Sequence, residues 1–380
     1  MALHRVGPYH QARLSAAVDA GLRLTVVQTR PQSQEYAWDF DPAGPYALAN
    51  LIGAPHPEKD PSYHLLVDQF NTLLDRCKPQ VIVNVGWADR AYQVLLLLAH
   101  QRRIPVVLVS DSRERDETRN ACKEWLKRQL LRGYSAALVA GKESRAYLVT
   151  LGFCSDAIFL PWDVVDNALF SQAAAHSTPQ MPHFLCVSRL VAKKNHIGLL
   201  QAYSAYQRQG GCWGLQLVGS GPEELAIRHD IEELPHPERV NLMPFCQLDT
   251  LGVLYGQANA FILASHTDQW GLVVNEAMAS GLPCLVSNAC GCATDLIQHN
   301  VTGWCFDPMN PSALTELMHI AERQPKAMRM AMVTAAYQRL RAYTPQAFAT
   351  GLQQACEQAI AKPNFSRRAA LTASLLCRRP

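Results

Sequence analysis

Short apolar runs alternate with segments of helical spacing along the whole chain. In the first half the runs are LRLTVVQ (22–28), VIVNVG (81–86), IPVVLVS (104–110), AALVAG (136–141) and AIFLP (157–161). In the second half they are HFLCVS (183–188), GLQLVGS (214–220), VNLMPF (240–245), AFILAS (260–265) and PCLVSN (283–288). Apolar strands that alternate with helices are typical of parallel sheets covered on both faces. The pattern therefore predicts an α/β chain with two doubly wound domains.

The length of 380 residues also suggests two domains, each large enough for its own core. We predict a Rossmann-like domain over 1–169 and a second one over 184–343. Residues 170–183 between them are small, polar and proline-bearing, which is typical of a linker. Residues 363–380 are predicted to be a disordered tail. Only Ala2–Val6 are left for the first strand, so either this strand is very short or the start of the chain is misassigned.

Composition narrows the class of protein without naming a function. The chain is 48% hydrophobic and 18% charged, which is ordinary for a soluble enzyme, and its net charge of +3 is too small to indicate nucleic acid binding. The 12 cysteines are scattered without a CxxC pair, so we expect reduced thiols in a cytoplasmic protein. We see no signal peptide. The longest apolar run, Val94–Ala99, is far shorter than the ~20 residues of a membrane-spanning helix.

Chemistry-bearing residues follow two strands of the second half. Arg189 and Lys194 come directly after the strand at 183–188, and two cations at a strand end suit a diphosphate. In isolation, such a pair is more often a set of solvated surface charges. Gly219 and Gly221 follow the next strand, where glycines allow a ligand to approach the backbone, although an ordinary turn explains them equally well.

A third strand end carries two acids around a glycine. Asp268 lies in the loop after the strand at 260–265, and a helix is predicted to begin near Leu272. The free N–H groups of that helix start would point at an anion, with Gly271 leaving it room. Glu276 lies among apolar residues of the helix, so we expect it to be semi-buried and to need an internal cation or a ligand diol.

As an ordered set, these motifs closely resemble the C-terminal domain of family-4 glycosyltransferases. The set comprises Arg189 and Lys194, GSGPEE (219–224), and the acid–x7–Glu segment followed by AMASGLPCLVSN. The resemblance implies the GT-B fold, in which two Rossmann-like domains face each other across a cleft. It also implies that a C-terminal helix, 344–362, crosses back to the first domain.

The resemblance further implies a reaction. Family members transfer a sugar from a nucleotide-diphosphate sugar with retention of configuration and without a metal ion. The acceptor would be a glycan or a lipid-linked glycan, in polysaccharide or glycoconjugate biosynthesis. Consistent with this, the second half of the sequence shows no Asp-x-Asp motif and no His/Cys ligand spacing, so no metal site and no cofactor besides the nucleotide sugar are expected.

Each motif residue receives a role from the resemblance. Arg189 and Lys194 would neutralise the leaving diphosphate, and Glu276 would hold the ribose hydroxyls. Asp268 stands where the family usually has Glu and would face the donor sugar, with a reach that is one methylene shorter.

The remaining donor contacts come from the backbone and an aromatic ring. Gly271 and Leu272 would offer N–H groups to phosphate, and Phe245 or its neighbours would lie at the base. Gly219 and Gly221 complete this donor side of the second domain.

The first half should carry the acceptor. Gly7, His10 and Arg13 lie at the turn from the first strand to a helix, where they could touch the donor phosphate or the acceptor. Helix-start chemistry around Pro8 is an equally good explanation. Asp89 in the loop NVGWADR is a further acceptor-side candidate.

A polar cluster closes the buried strand at 104–110. Asp111 is a candidate for a polar acceptor contact or a base, because many relatives carry His or Asp at this strand end. Ser110, Ser112 and Arg119 are acceptor-side candidates beside it. A cluster that caps the next helix is at least as good an explanation.

The helix predicted at 115–133 is basic and amphipathic. It could rest on anionic lipid at the inner face of the cytoplasmic membrane, or be an ordinary helix with its apolar face in the core. The leading hypothesis is a retaining glycosyltransferase. A catalytically degenerate scaffold in a glycan-assembly complex and a sugar-nucleotide epimerase remain alternatives, whereas a phosphorylase would need a pyridoxal-phosphate lysine or a free-phosphate site, and neither is apparent.

Overall fold

A computed structural model describes residues 1–33, 38–177 and 181–378. The described chain forms two compact units. Unit 1 combines Met1–Val164 with the chain from Pro345 onward, and unit 2 is the continuous segment Val165–Thr344. The chain therefore passes from unit 1 into unit 2 five residues earlier than the predicted end of the first domain at residue 169.

Unit 1 is built on a parallel sheet. Its described strands are β1 Ala2–Leu3, β2 Thr25–Gln28, β3 Ala47–Asn50, β4 Ile82–Val85, β5 Val106–Ser110, β6 Ala136–Val139 and β7 Ile158–Phe159. They are ordered β3-β2-β1-β4-β5-β6-β7, so the strand order reverses between β1 and β4. The short strand β1 lies in the middle of the sheet, with Ala2 beside Val27 on one side and Asn84 on the other.

Helices cover both faces of this sheet. They are α1 Pro8–Asp19, α2 Tyr63–Cys77, α3 Arg90–Gln101, α4 Ala121–Leu131, α5 Lys142–Thr150, α14 Pro345–Ala361 and α15 Arg367–Cys377. The run Val94–Ala99 is buried within α3, so its hydrophobicity serves the core of unit 1. Among the residues that the structure describes, no helix is long and apolar enough to cross a membrane.

Unit 2 repeats the architecture. Its described strands are β8 His183–Val187, β9 Gly214–Val218, β10 Val240–Met243, β11 Ala260–Leu263, β12 Cys284–Ser287 and β13 Trp304–Phe306. They are parallel and ordered β10-β9-β8-β11-β12-β13, so the order reverses between β8 and β11. Ligands of doubly wound sheets bind at the carboxyl ends of the strands at such a reversal.

The helices of unit 2 are α6 Asn167–Ala175, α7 His196–Arg208, α8 Glu224–Glu232, α9 Leu248–Gln257, α10 Leu272–Ala279, α11 Ala293–Leu296, α12 Pro311–Arg323 and α13 Lys326–Leu340. Strands β8, β11 and β12 are buried throughout, as expected for a sheet with helices on both faces. The alternation of apolar runs thus predicts the two parallel sheets correctly.

The predicted linker at 170–183 is wrong over much of its described part. Helix α6 extends to Ala175, and Asp166 caps it by accepting hydrogen bonds from the N–H groups of Ala168 and Leu169 at 3.1 Å. The small residues that suggested a linker include alanines, which are the best helix formers. Residues 178–180 lie outside the described residues.

The predicted disorder of 363–380 is also wrong for most of the segment. Helix α15 packs against α3 and α4, with Ala369, Ala373 and Cys377 buried. The hydroxyl of Ser366 caps it by accepting from the N–H of Ala369 at 3.4 Å. Burial at helical spacing explains why the segment is ordered, whereas residues 379–380 lie outside the described residues.

Candidate functional site

The first part of the candidate site is the loop that follows β8. Arg189 lies directly beyond the strand, and Lys194 ends a short 3-10 turn just before α7. The carbonyl of Leu190 accepts a hydrogen bond from the N–H of Glu223 at 3.1 Å. The N–H of Leu190 donates to the carbonyl of Ser220 at 3.0 Å. The loop after β8 is therefore held against the loop after β9.

Gly219 and Gly221 allow these two loops to pack so closely. A Cβ atom at Gly219 would lie 1.9 Å from the carbonyl oxygen of Ser188, and one at Gly221 would lie 2.3 Å from that of Leu190. Both positions thus exclude any side chain for a reason internal to the fold. Contact of these glycines with a donor stays a prediction.

Phe245 lies beyond β10, beside the same loops. Its N–H donates to the hydroxyl of Ser220 at 3.0 Å, which links the ends of β9 and β10. The predicted base-side position of Phe245 is thus attached to the glycine-bearing loop.

Lys194 and Asp268 meet across the reversal of strand order. The ammonium of Lys194, which follows β8, forms an ion pair with the carboxylate of Asp268, which follows β11. Their side chains are 12% and 14% exposed, so solvent screens the pair only partly. The structure thereby brings together Lys194, which was predicted to contact the diphosphate, and Asp268, which was predicted to contact the sugar.

Helix α10 begins beside this ion pair. Gly271 caps the helix with φ +103°, a backbone conformation that favours glycine, and Leu272 is the first helical residue. The oxygen Oδ2 of Asp268 would lie 3.8 Å from a Cβ atom at Gly271. The positive end of the α10 dipole and the charge of Lys194 therefore lie in the same neighbourhood.

Glu276 is more buried than predicted. Its exposed fraction is 0%, as is that of Tyr255 in α9, whose hydroxyl donates to Oε2 of Glu276 at 2.7 Å. A buried carboxylate needs a polar partner, and the hydroxyl of Tyr255 is one such partner here. The sequence predicted an internal cation or a ligand diol and did not indicate a tyrosine. Binding of a ribose by Glu276 stays a prediction.

Asn195 and His196 were missed by the sequence reasoning, although they adjoin Lys194. The Asn195 amide donates to the carbonyls of Ala264 (3.1 Å) and Pro308 (3.2 Å), and so fixes the start of α7 to the end of β11. Nε2 of His196 lies 2.9 Å from Oγ of Ser188. Burial and, to a smaller extent, Lys194 lower the pKa of His196 to about 4, so its imidazole is neutral near pH 7.

In unit 1, the candidates at the start of α1 serve the helix itself. Gly7 is the N-cap, and its N–H donates to Nδ1 of His10 at 3.2 Å. Burial, with smaller contributions from Arg13 and His4, lowers the pKa of His10 to about 3. This geometry supports the helix-start explanation, and contacts of Gly7 and His10 with substrate stay predictions.

Arg13 is buried in contacts within unit 1, and its acceptor contact stays a prediction. It is 2% exposed, and its Nε donates to the carbonyl of Val164 at 2.9 Å. Its guanidinium lies 3.4 Å from Asp163 and stacks over the ring of Trp162 at 4.6 Å. Arg13 thereby holds residues 162–164 in place, where the first stretch of unit 1 ends.

Asp89 forms the counterpart in unit 1 of the Lys194–Asp268 pair. Its carboxylate lies 2.8 Å from Nε2 of His4, which follows β1, and 2.7 Å from the guanidinium of Arg30, which follows β2. Burial alone would raise the pKa of Asp89, but His4 and Arg30 lower it. The side chain is 30% exposed, at the carboxyl ends of the strands where the order of this sheet reverses.

The cluster after β5 is a folded turn. The hydroxyl of Ser110 accepts from the N–H of Ser112 at 3.3 Å, and the carbonyl of Asp111 accepts from the hydroxyl of Ser144 at 2.9 Å. The cap of α4 is Asn120, so the alternative that this cluster caps the next helix is wrong. The acceptor role of Asp111, Ser110 and Ser112 stays a prediction.

Arg119 holds this region together and is not placed as a free acceptor ligand. It donates to the carbonyls of Arg113 and Glu114, and its guanidinium stacks over the ring of Tyr147 at 4.4 Å. These contacts hold its guanidinium within unit 1, and the acceptor contact of Arg119 stays a prediction.

Among the described residues, no three His, Cys, Asp or Glu side chains cluster in a way that could hold a metal ion. The residues after β8, β9, β10 and β11 that were predicted to bind a donor are linked by one ion pair and by hydrogen bonds between their loops, and their contact with a donor stays a prediction.

Comparison with known proteins relates unit 2 to glycosyltransferases. Residues 172–339 match the family model for glycosyl transferases group 1. A curated relative, the amylovoran biosynthesis glycosyltransferase AmsK of Erwinia amylovora, is 28% identical over 177 residues, which cover 45% of this chain and 43% of the relative. A GDP-mannose-dependent alpha-(1-6)-phosphatidylinositol monomannoside mannosyltransferase of Mycobacterium tuberculosis is 28% identical over 34% of this chain and 35% of its own. The chain thus spans less than half the length of these relatives.

Solved structures are similar over nearly the whole chain. A glycosyltransferase from Rickettsia africae has a TM-score of 0.75 with 13% identity, over 94% of this chain and 97% of its own. Anabaena Alr3699/HepE in complex with UDP and glucose has a TM-score of 0.72 with 15% identity, over 94% and 98%. At these identities the likeness concerns the fold. The chain has the GT-B fold, and its residues 172–339 match the family model for glycosyl transferases group 1.

Proposed function

We propose that this protein is a retaining, metal-independent glycosyltransferase. It moves a sugar from a nucleotide-diphosphate sugar to a glycan or a lipid-linked glycan, in the synthesis of a polysaccharide or glycoconjugate. The observation that carries the proposal is the meeting of Lys194, Asp268 and the α10 start at the reversal of strand order in unit 2.

This geometry suits the departure of a nucleoside diphosphate. A cation and helix N–H groups that are already in place stabilise the negative charge that develops on the leaving group. Lys194 and the N–H groups at Gly271 and Leu272 supply such a set, and Arg189 adds a second cation after β8. In this proposal Asp268 faces the transferred sugar and Glu276 the ribose.

The relatives support the donor and acceptor classes. One solved neighbour was crystallised with UDP and glucose, and one curated relative is named for GDP-mannose and a phosphatidylinositol acceptor. Another relative is named for amylovoran biosynthesis. The donor class proposed for this chain is therefore a UDP- or GDP-sugar.

Thermal unfolding with UDP, GDP and their sugar conjugates tests the donor site. One nucleotide series should raise the melting temperature as its concentration increases. At a concentration of 100 times the Kd, binding should add about 2.7 kcal/mol to the free energy of unfolding. Glu276→Gln should weaken this binding. A folded protein that responds to no nucleotide would refute the donor site and favour the scaffold alternative.

Release of nucleoside diphosphate with candidate glycan acceptors tests the transfer itself. Lys194→Ala should lower turnover by about 10²-fold or more, on the order of losing one transition-state contact. The neighbouring exposed Lys193→Ala is the matched control and should retain activity. A chelator should leave turnover unchanged, and retention is read from the anomeric configuration of the product.

A further inference from the structure

Helix α15 presents an amphipathic outer face. Its exposed residues, Arg367, Arg368, Leu371, Leu375 and Arg378, fall within roughly 100° of the helix circumference. Leu371 is 67% exposed and Leu375 is 73% exposed, while the opposite side of the helix packs into unit 1. This side of α15 therefore combines two exposed leucines with three arginines.

Helix α4 adds to this face. The two helices pack against each other, and a Cβ atom at Gly133, just beyond α4, would lie 3.0 Å from Cβ of Ala369. On α4, Trp125 is 59% exposed, and Arg128 and Arg132 are exposed as well. We call these outward residues of both helices the α4–α15 surface: Trp125, Arg128, Arg132, Arg367, Arg368, Leu371, Leu375 and Arg378.

The basic residues that first suggested membrane contact are largely occupied elsewhere. Lys127 forms an ion pair with Glu124 at 2.9 Å and bonds to Tyr147, and Arg119 stacks on Tyr147. The α4–α15 surface, in contrast, contains no acidic residue, and Glu124 is the only acid within the two described helices.

We infer that the α4–α15 surface docks on an anionic lipid bilayer. Leucine and tryptophan side chains flanked by arginines suit the boundary between headgroups and acyl chains, and the unopposed positive charge complements anionic headgroups. The helices would lie on the bilayer, since none of the described helices is long and apolar enough to cross it. This inference does not depend on the proposed sugar transfer, because vesicle binding requires no turnover.

Sedimentation with vesicles tests the inference. The full chain should bind vesicles that contain phosphatidylglycerol and should bind pure phosphatidylcholine far more weakly, at an ionic strength of about 0.1 M. The double variant Leu371→Gln/Leu375→Gln should lower binding about tenfold or more. The variant Arg367→Gln/Arg368→Gln should lower it roughly fivefold per charge and weaken its salt dependence.

The matched control lies in unit 2. Met328 and Met330 of α13 are 60% and 61% exposed, and Met328→Gln/Met330→Gln should leave vesicle binding unchanged. Far-ultraviolet circular dichroism establishes that each variant is folded, and the arginine variant keeps the test decisive if the leucine variant unfolds. Equal binding by all folded variants, no binding by the wild type, or a dimer that only the leucine variant dissociates would each overturn the inference.

Discussion

The Lys194–Asp268 pair is the residue-scale feature that matters most for the proposed donor site. The carboxylate of Asp268 is bonded directly to the ammonium of Lys194. A diphosphate that bound to Lys194 would therefore compete with Asp268. In the proposed site, the pair would therefore set part of the affinity for the leaving group, because one cation would be shared between two anions.

We expect Asp268→Asn to bind free nucleoside diphosphate up to about tenfold more tightly, since removing a partly exposed ion pair is worth on the order of 1 kcal/mol. Turnover should fall, because the proposed sugar contact is weakened. Isothermal titration with UDP and GDP measures the first effect. Asp249→Asn, an exposed carboxylate of α9, is the control for net charge. Unchanged affinity would place the phosphate away from Lys194.

His196 makes the stability of unit 2 depend on pH. Its folded pKa is about 4 against an ordinary value of 6.5, so the unfolded chain takes up the proton first as the pH falls. The stability that this group contributes is present above pH 6.5 and is lost as the pH falls through about 4.

We predict that the free energy of unfolding of the wild type falls more between pH 7 and pH 5 than that of His196→Gln, by about 2 kcal/mol. Urea unfolding at the two pH values measures this difference. His229→Gln, at an exposed position of α8, should behave like the wild type. Parallel pH profiles for wild type and His196→Gln would show that the imidazole is not kept neutral by the fold.

At this scale the sequence predicts positions better than partners. The ordered motifs place Lys194, Gly271 and Glu276 on the correct strand ends and helix. They do not reveal that Tyr255 bonds to Glu276 or that Val164 bonds to Arg13, because those partners lie far away in the sequence and meet only in the folded chain.

At the scale of elements, the return of the chain into unit 1 depends on one glycine. Helix α14 packs on α1, β6 and β7, and a Cβ atom at Gly351 would lie 2.7 Å from the carbonyl oxygen of Leu160. Any side chain at this position would push α14 away from the end of β7.

Gly351→Ala should therefore destabilise unit 1 by about 1–3 kcal/mol, even though alanine is the better helix former. The melting temperature of the variant measures the effect. Gln354→Ala lies at an exposed position of the same helix and should leave the temperature nearly unchanged. A stabilised Gly351→Ala protein would mean that the helix accommodates the methyl group by shifting.

Strands are predicted well where they are apolar, and poorly where they are not. Strands β5 and β11 are buried runs that the hydrophobic pattern identifies directly. The edge strand β3 escapes because it has only four residues and their side chains are mostly exposed. Helices α6 and α15 were missed because both are rich in small residues, which give only a weak helical pattern of hydrophobic positions. Their packing against other helices identifies their buried faces.

At the scale of the whole molecule, the two units have separate sheets and separate cores. Calorimetry should resolve two unfolding transitions. A nucleotide that binds unit 2 should raise only one of them, and Gly351→Ala should lower only the other. A single transition that responds to both changes would show that the units unfold together.

The two ends of unit 2 are close to each other. The side chain of Asn167, near its first residue, donates to the carbonyl of Tyr343, near its last, at 3.2 Å. A segment whose first and last residues lie close together can be exchanged as a unit, because its removal leaves only a short gap in the rest of the chain. Under the proposed function, exchange of Val165–Thr344 for the matching segment of a relative should change the donor sugar while the sequence of unit 1 stays unchanged, so that new sugar linkages can arise by recombination as well as by point mutation.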